Sequence, residues 1–289
     1  MKACWAALVL AWGVTGGAGA AHMPGEETAV AGYTVTGRVD FDDPEDPALS
    51  GRVVLQEAGL MTPLAATERG GITLAAGAWA GWTRLDFQGH PELDAEDLYG
   101  LGVLAAAGHP AAEGGWGWSV LAMPGFTSDF RSGRTGEGKV LLHAAAEYAF
   151  SGAWKVQAGL AYDTAFGDPA VYPAGGVVWR AGESLSVNLL LPSPSVVWTP
   201  SERWGIFVFA QPAGDRWRVE DDEAGEQVFL MESWRAGAGA EWRVWGPAWL
   251  RVAGGMDLAR RYEVRSGGRT VLDEEVEDTW FASAALAVY

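Results

Sequence analysis

The chain has 289 residues, with 37 acidic against 20 basic side chains, a formal charge of −17, 40 Gly and 16 Trp. That balance argues against nucleic acid as a partner, because phosphate binding needs a basic patch. A single cysteine, Cys4, leaves no intramolecular disulfide and no cysteine metal site.

The first residues read as a secretory leader. Lys2 supplies the charged region, Ala3 to Trp12 a short apolar run, and Ala18-Gly19-Ala20 a small-x-small cleavage site. The expected organisation is a signal peptide over 1–20 and one domain over 21–289. The apolar run is shorter than the roughly 20 residues that a membrane helix needs. The uncharged stretch Ser184 to Ser201 contains Pro192, Pro194 and Pro200, which excludes a continuous helix there.

From Tyr33 onward the chain alternates apolar and polar residues, the period of a strand with two different faces. Tyr33, Val35, Gly37, Val39 and Phe41 share one face, and Thr34, Thr36, Arg38 and Asp40 the other. The acidic loop from Asp42 to Pro47 follows. Further strands are expected over 52–59, 72–87, 97–108, 116–130 and 140–150. Trp154, Val156, Ala158, Leu160 and Tyr162 then alternate with Lys155, Gln157, Gly159 and Asp163. Shorter strands are expected at 175–179, 185–191 and 195–198, and then 203–211 and 216–220, with a possible break at Gly214. In Trp234 to Val244, one face carries Trp234, Ala236, Ala238, Ala240, Trp242 and Val244, and the other Arg235, Glu241 and Arg243. Leu250 to Leu258 alternates in the same way around Arg251 and Asp257, and 279–289 closes the chain. Ala238, Ala240, Leu250, Val252 and Leu258 are expected to face hydrocarbon.

One fatty and one charged face per strand suits a closed barrel in a membrane, where every backbone group must be satisfied internally. The expected fold is all-β, a transmembrane antiparallel up-and-down β-barrel of about 12 to 14 strands. Trp245-Gly246-Pro247 reads as a short periplasmic turn. The segment Tyr262 to Asp278 reads as a long, hydrophilic outer loop, on the same side as the loops near 42–50, 130–138, 165–174 and 220–226. Trp154, Trp179, Trp198, Trp204, Trp245, Trp249 and Trp280 fall at strand ends, as interfacial girdles do.

With the leader and strand pattern in view, the chain resembles bacterial outer-membrane porin-like barrels of a family without assigned function. The resemblance also rests on Met123-Pro124-Gly125-Phe126 with Ser128-Asp129-Phe130, and on Tyr172 to Trp179 followed by the strand Leu185 to Pro192. The end of the chain, with Phe281, Ser283, Ala285, Ala287 and Tyr289 in step, looks like a terminal strand read by the barrel-assembly machinery. The resemblance implies an outer-membrane location, with that membrane's lipids and the assembly machinery as partners.

No catalytic constellation stands out. The histidines are His22, His90, His109 and His143. Only His143 lies mid-strand, and Glu147 on the same face is four residues on, roughly 13 Å away and too far for an acid–base pair. The acidic runs 42–46, 221–223 and 273–278 match no calcium-loop pattern. No enzyme activity, metal or cofactor is expected. The candidate lumen-facing residues are Arg38, Asp40, Lys155, Asp163, Arg235, Glu241, Arg243, Arg251 and Asp257. They point to passive passage of small solutes, with weak cation selectivity from acidic mouths. The alternative is a non-conducting structural or adhesion barrel. A soluble secreted β-protein and an outer-membrane enzyme rank behind both.

Overall fold

The computed structural model describes residues 29–41, 51–89, 95–130, 136–164, 169–221 and 225–289. The leader, the acidic loop 42–50, His22 and His90 lie outside the described residues. The first strands are β1 (Ala29–Thr36), β2 (Val39–Phe41), β3 (Gly51–Arg69), β4 (Ile72–Gln88), β5 (Glu96–His109) and β6 (Gly115–Ser128). They are followed by β7 (Glu137–Ala149), β8 (Trp154–Asp163), β9 (Ala170–Ala181), β10 (Leu185–Asn188) and β11 (Ser195–Ser201). The last are β12 (Trp204–Asp221), β13 (Gly225–Trp245), β14 (Ala248–Ser266), β15 (Arg269–Val276) and β16 (Thr279–Val288).

These form one antiparallel sheet in chain order, and β1 closes it by pairing with β16 on one side and β3 on the other. β1 and β2 both lie along β3, and β15 and β16 both lie along β14. The result is a closed 14-strand up-and-down barrel. No helix among the described residues is long and apolar enough to cross a membrane.

Alternation sorts the faces. Leu101, Val103, Val120, Leu142, Leu160, Val208, Leu250 and Val252 point outward and are exposed. Ala238 and Ala240 are also exposed, and Leu258 is half-buried on the same face. Two aromatic belts bound this apolar band. Trp116, Trp154, Trp198, Trp204, Trp242 and Trp245 stand near the short turns, and Tyr99, Phe126, Trp234 and Trp280 stand nearer the other rim. Trp234 and Trp242 are eight residues apart, about 26 Å along the strand. With strand tilt this fits the band of a membrane barrel.

Three sequence expectations change. The stave of β1 and β2 breaks at Gly37, whose N–H donates to the Trp280 carbonyl at 2.7 Å. Beyond the break the phase flips: Val39 is buried, while Arg38 and Asp40 are exposed. The segment 262–278 is no open loop. β14 runs on to Ser266, turns at Gly267–Gly268 and returns as β15. Tyr262, Val264, Leu272 and Val276 on its inner face are buried. Trp249 turns into the lumen and is 4% exposed, so it belongs to no girdle.

The upper lumen, at the rim opposite the short turns, is filled. Val39, Val53, Leu55, Leu85, Phe87 and Leu98 pack with Trp217, Val219, Phe229, Met231, Tyr262, Val264, Leu272 and Val276 as one buried cluster. The Phe87 and Phe229 rings, from strands β4 and β13 that are not neighbours in the sheet, meet with centroids 6.3 Å apart. The long strands therefore close on each other above the band, as two sheets of a sandwich do.

Candidate functional site

The wall is uneven. β12, β13 and β14 have 18, 21 and 19 residues, whereas β10 has four and β11 seven. Ladder pairing of β9 to its later neighbours ends at Asn188, apart from an isolated Gly175–Leu191 bridge. β11 pairs with β12 only up to Phe209, followed by one bond from Ala210 N–H to the Pro194 carbonyl. Residues 170–174 of β9 and 211–221 of β12 thus have no ladder partner on their facing edges among the described residues. A gap stands in the wall between them, with the loop 189–194 as its sill.

Prolines frame this gap. Pro192 and Pro194 lie in the sill, Pro173 in β9 and Pro212 in β12. Proline cannot donate to a ladder, so sheets accept it at edges. Pro212 pairs with Trp234 of the upper aromatic belt, which sets the gap at the upper edge of the apolar band. Val171, Leu189 and Leu191 point outward beside it, 65%, 55% and 60% exposed.

β12 then bends inward while its ladder with β13 continues unbroken to Asp221. Gly214 has φ +138°, and a Cβ there would lie 2.1 Å from the Met231 carbonyl oxygen. Only glycine takes this conformation without strain. Past this point β12 reaches β6 and β7 across the lumen. Lys139 Nζ pairs with Asp215, Arg218 Nε donates to Glu137 Oε2 at 2.7 Å, and Thr127 Oγ1 donates to the Arg216 carbonyl at 2.9 Å.

Under this crossing lies a cavity of about 200 Å³ that borders the gap. Apolar groups dominate its lining: Leu121 and Leu141 inside, and Leu190, Leu191, Pro192 and Pro212 at the gap. The polar lining comes from His143, Gln157, Asp163, Tyr172, Asn188 and Gln211. Asn188 Oδ1 accepts the Leu190 N–H at 3.2 Å and so holds the start of the sill. His143 Nδ1 is buried with no hydrogen-bond partner.

The expected lumen residues divide into groups. Arg235 donates to Asp257 Oδ1 at 2.8 Å and to Glu57 Oε2 at 2.9 Å, and stands over the Phe281 ring. Glu241 and Arg251 face each other at 3.4 Å near the lower rim, and Tyr289 donates to Glu241 at 2.8 Å. Lys155 lies 3.6 Å from Glu147, whose Oε1 also accepts the Ala111 N–H. Asp163 lines the cavity. Arg243 stays in step with Glu241 on the lumen face, pairs in register with Trp249 and donates to the Gly246 carbonyl in the turn at the lower rim. Two residues lie elsewhere: Arg38 is exposed at the strand break, and Asp40 is exposed and paired with Arg52 at 2.7 Å.

Sequence reasoning missed Glu57, Lys139, Asp215, Glu137 and Arg218, because their partners are far along the chain. It also missed Trp79, which lies over Gly102 and Gly125 inside the barrel. A Cβ on Gly125 would fall 2.2 Å from the indole. Phe281, Ser283, Ala285 and Ala287 share the lumen face of β16, Tyr289 just beyond its end reaches lumen-facing Glu241, and Trp280 and Leu286 point outward. Among the described residues, no group of three or more His, Cys, Asp or Glu stands where it could hold a metal ion.

No protein-family model and no curated protein matches the chain. Solved structures do. An outer-membrane channel from Pseudomonas putida F1 aligns over 96% of this chain and 100% of its own, with 12% identity and a TM-score of 0.45. The Pseudomonas putida toluene transporter TodX aligns over 90% and 88%, with 10% identity and a TM-score of 0.41. The translocator domain of the autotransporter NalP from Neisseria meningitidis aligns over 90% and 87%, with 12% identity and a TM-score of 0.36. The architecture is a closed antiparallel up-and-down β-barrel of 14 strands.

Proposed function

We propose that the protein lies in the outer membrane of a Gram-negative-type envelope and passes small solutes through the side of its barrel instead of along an open axis. The lipids of that membrane surround the apolar band. The C-terminal strand engages the assembly machinery. One observation carries the reading: the upper axis is filled by a buried apolar cluster, whereas a cavity below it borders a gap in the wall. A packed apolar plug admits neither water nor ions.

The cation selectivity expected of an acidic mouth requires an open axis. Asp222 and Glu223 of that mouth lie outside the described residues. The test is a pair of measurements on the refolded protein, ion conductance in planar bilayers and uptake of a small neutral solute, p-cresol, into vesicles. Uptake with little steady conductance is expected. A large steady conductance would show an open axial pore. Neither signal would favour the structural barrel, for which the ion pairs tying β7 to β12 speak.

A further inference from the structure

We infer that the side cavity is a binding site for one compact, neutral, mostly apolar molecule that carries a single hydrogen-bonding group, a one-ring phenol being the type. This deepens the proposed reading by naming a solute class, and it is tested at equilibrium, so a failure of transport leaves it standing.

Size comes first. An apolar cavity of about 150 Å³ takes benzene. This one measures about 200 Å³, room for one ring and a small substituent. Charge comes next. The lining includes Asp163 but no Lys or Arg, so it offers an anion no counter-charge. Permanently charged molecules would also lose hydration among Leu121, Leu141, Leu190 and Pro212. The hydrogen-bonding group comes last. Buried polar atoms in folded proteins have partners, and each exception calls for an explanation. The His143 ring lines the cavity, and its Nδ1 is buried without a partner. A hydroxyl both donates and accepts, so it satisfies this nitrogen in either tautomer. Tyr172, Asn188 and Gln211 around the same space add further polar edges.

His143 has no use in the ion-pair networks. Its strand neighbours on the lumen face do: Lys139 meets Asp215 and Glu147 meets Lys155. Among the described residues, His143 is the one mid-strand histidine, and it stands where the lumen is roomy.

The experiment compares p-cresol with toluene, which has the same ring and methyl group but no hydroxyl. Binding is read by saturation-transfer NMR on the full barrel in lipid nanodiscs, with empty nanodiscs subtracting partition into lipid. Saturable binding of both is expected, with p-cresol the tighter. His143→Leu keeps the bulk and removes the ring nitrogen. It should weaken p-cresol about tenfold, the worth of one hydrogen bond, and leave toluene unchanged. Ala174→Phe on β9 and Ala161→Phe on β8 fill the space from two strands and should abolish binding of both. Heat-modifiable migration shows which variants fold, and one folded filling variant is enough. Binding no greater than in empty nanodiscs would overturn the inference. So would a folded filling variant that binds as before, or a His143→Leu variant that keeps the preference for p-cresol. Uptake of p-cresol into vesicles without saturable binding would sink the site and leave the passage reading intact.

Discussion

The two sides of this barrel are built differently. β3 to β5 and β12 to β14 are long, and with the short β15 their upper parts turn large apolar side chains inward until they meet. β8 to β11 are short, and β10 and β11 stop below the level of the closure. One side therefore contributes the packed core that a barrel otherwise lacks. The other leaves a gap and a cavity. The packed core and the gap lie on different strands of the same sheet, so each can be damaged without the other.

The largest expected contrast follows from that division. Trp217→Ala in the closed half removes a fully packed ring and should cost about 3–5 kcal/mol. Leu191→Ala on the sill, already 60% exposed, should cost less than about 0.5 kcal/mol. Denaturant unfolding of the refolded barrel measures both, and similar losses would erase the difference between the halves.

Comparable in size is the buried charge cluster. Asp257 is 1% exposed and holds Arg235 together with Glu57. Asp257→Leu leaves the guanidinium short of charge and should cost about 3–5 kcal/mol. The triple replacement Glu57→Gln, Arg235→Met, Asp257→Leu should recover most of that loss in the same unfolding assay. If it recovers nothing, the cluster holds the wall by more than charge pairing.

A step smaller, Arg placed at outward Ala240 should cost about 2–4 kcal/mol in lipid. The same residue at Gln157, which faces the cavity, should cost less. Gly239 beside Ala240 is no control for this contrast, because a Cβ there would fall 2.4 Å from the Phe207 ring. Folding into vesicles under denaturant titration gives the comparison.

Much of this was legible in the residues. The strict period of Trp234 to Val244 set which side of β13 faces the lumen, and Arg235 and Glu241 are buried there. The prolines near 192–194 exclude a helix and also mark where β10 and β11 stop. Arg38 and Asp40 leave the lumen face because Gly37 interrupts the ladder and the phase flips beyond it. The hairpin of β14 and β15 hid behind its charge. Tyr262 and Val264 do alternate with Arg261, Glu263 and Arg265, a strand pattern masked by acidic composition. Pairs such as Lys139 with Asp215, 76 residues apart, follow only from closure of the sheet.

The smallest effect belongs to that hairpin. Asp273 accepts two hydrogen bonds from Arg261, at 2.8 and 2.9 Å, which hold its carboxyl below the ordinary carboxylate range. Its contribution is therefore present above about pH 3.9 and is lost as pH falls through the lowered folded value. Both side chains are more than 40% exposed, so the pair is worth under about 1 kcal/mol. The stability difference between the native chain and Asp273→Asn should shrink on going from pH 7 to the acid range. An unchanged difference would mean that the pair does not form in solution.

The most direct test of the central claim is p-cresol uptake into vesicles carrying the native barrel, Ala174→Phe or Met231→Ala. Ala174 lines the cavity on β9, and Met231 lies in the buried cluster that fills the upper axis. The side route predicts that Ala174→Phe stops uptake, while Met231→Ala leaves it at the native rate. Undiminished uptake through a folded Ala174→Phe barrel, or uptake that rises when Met231 is trimmed, would place the passage along the axis and contradict the account.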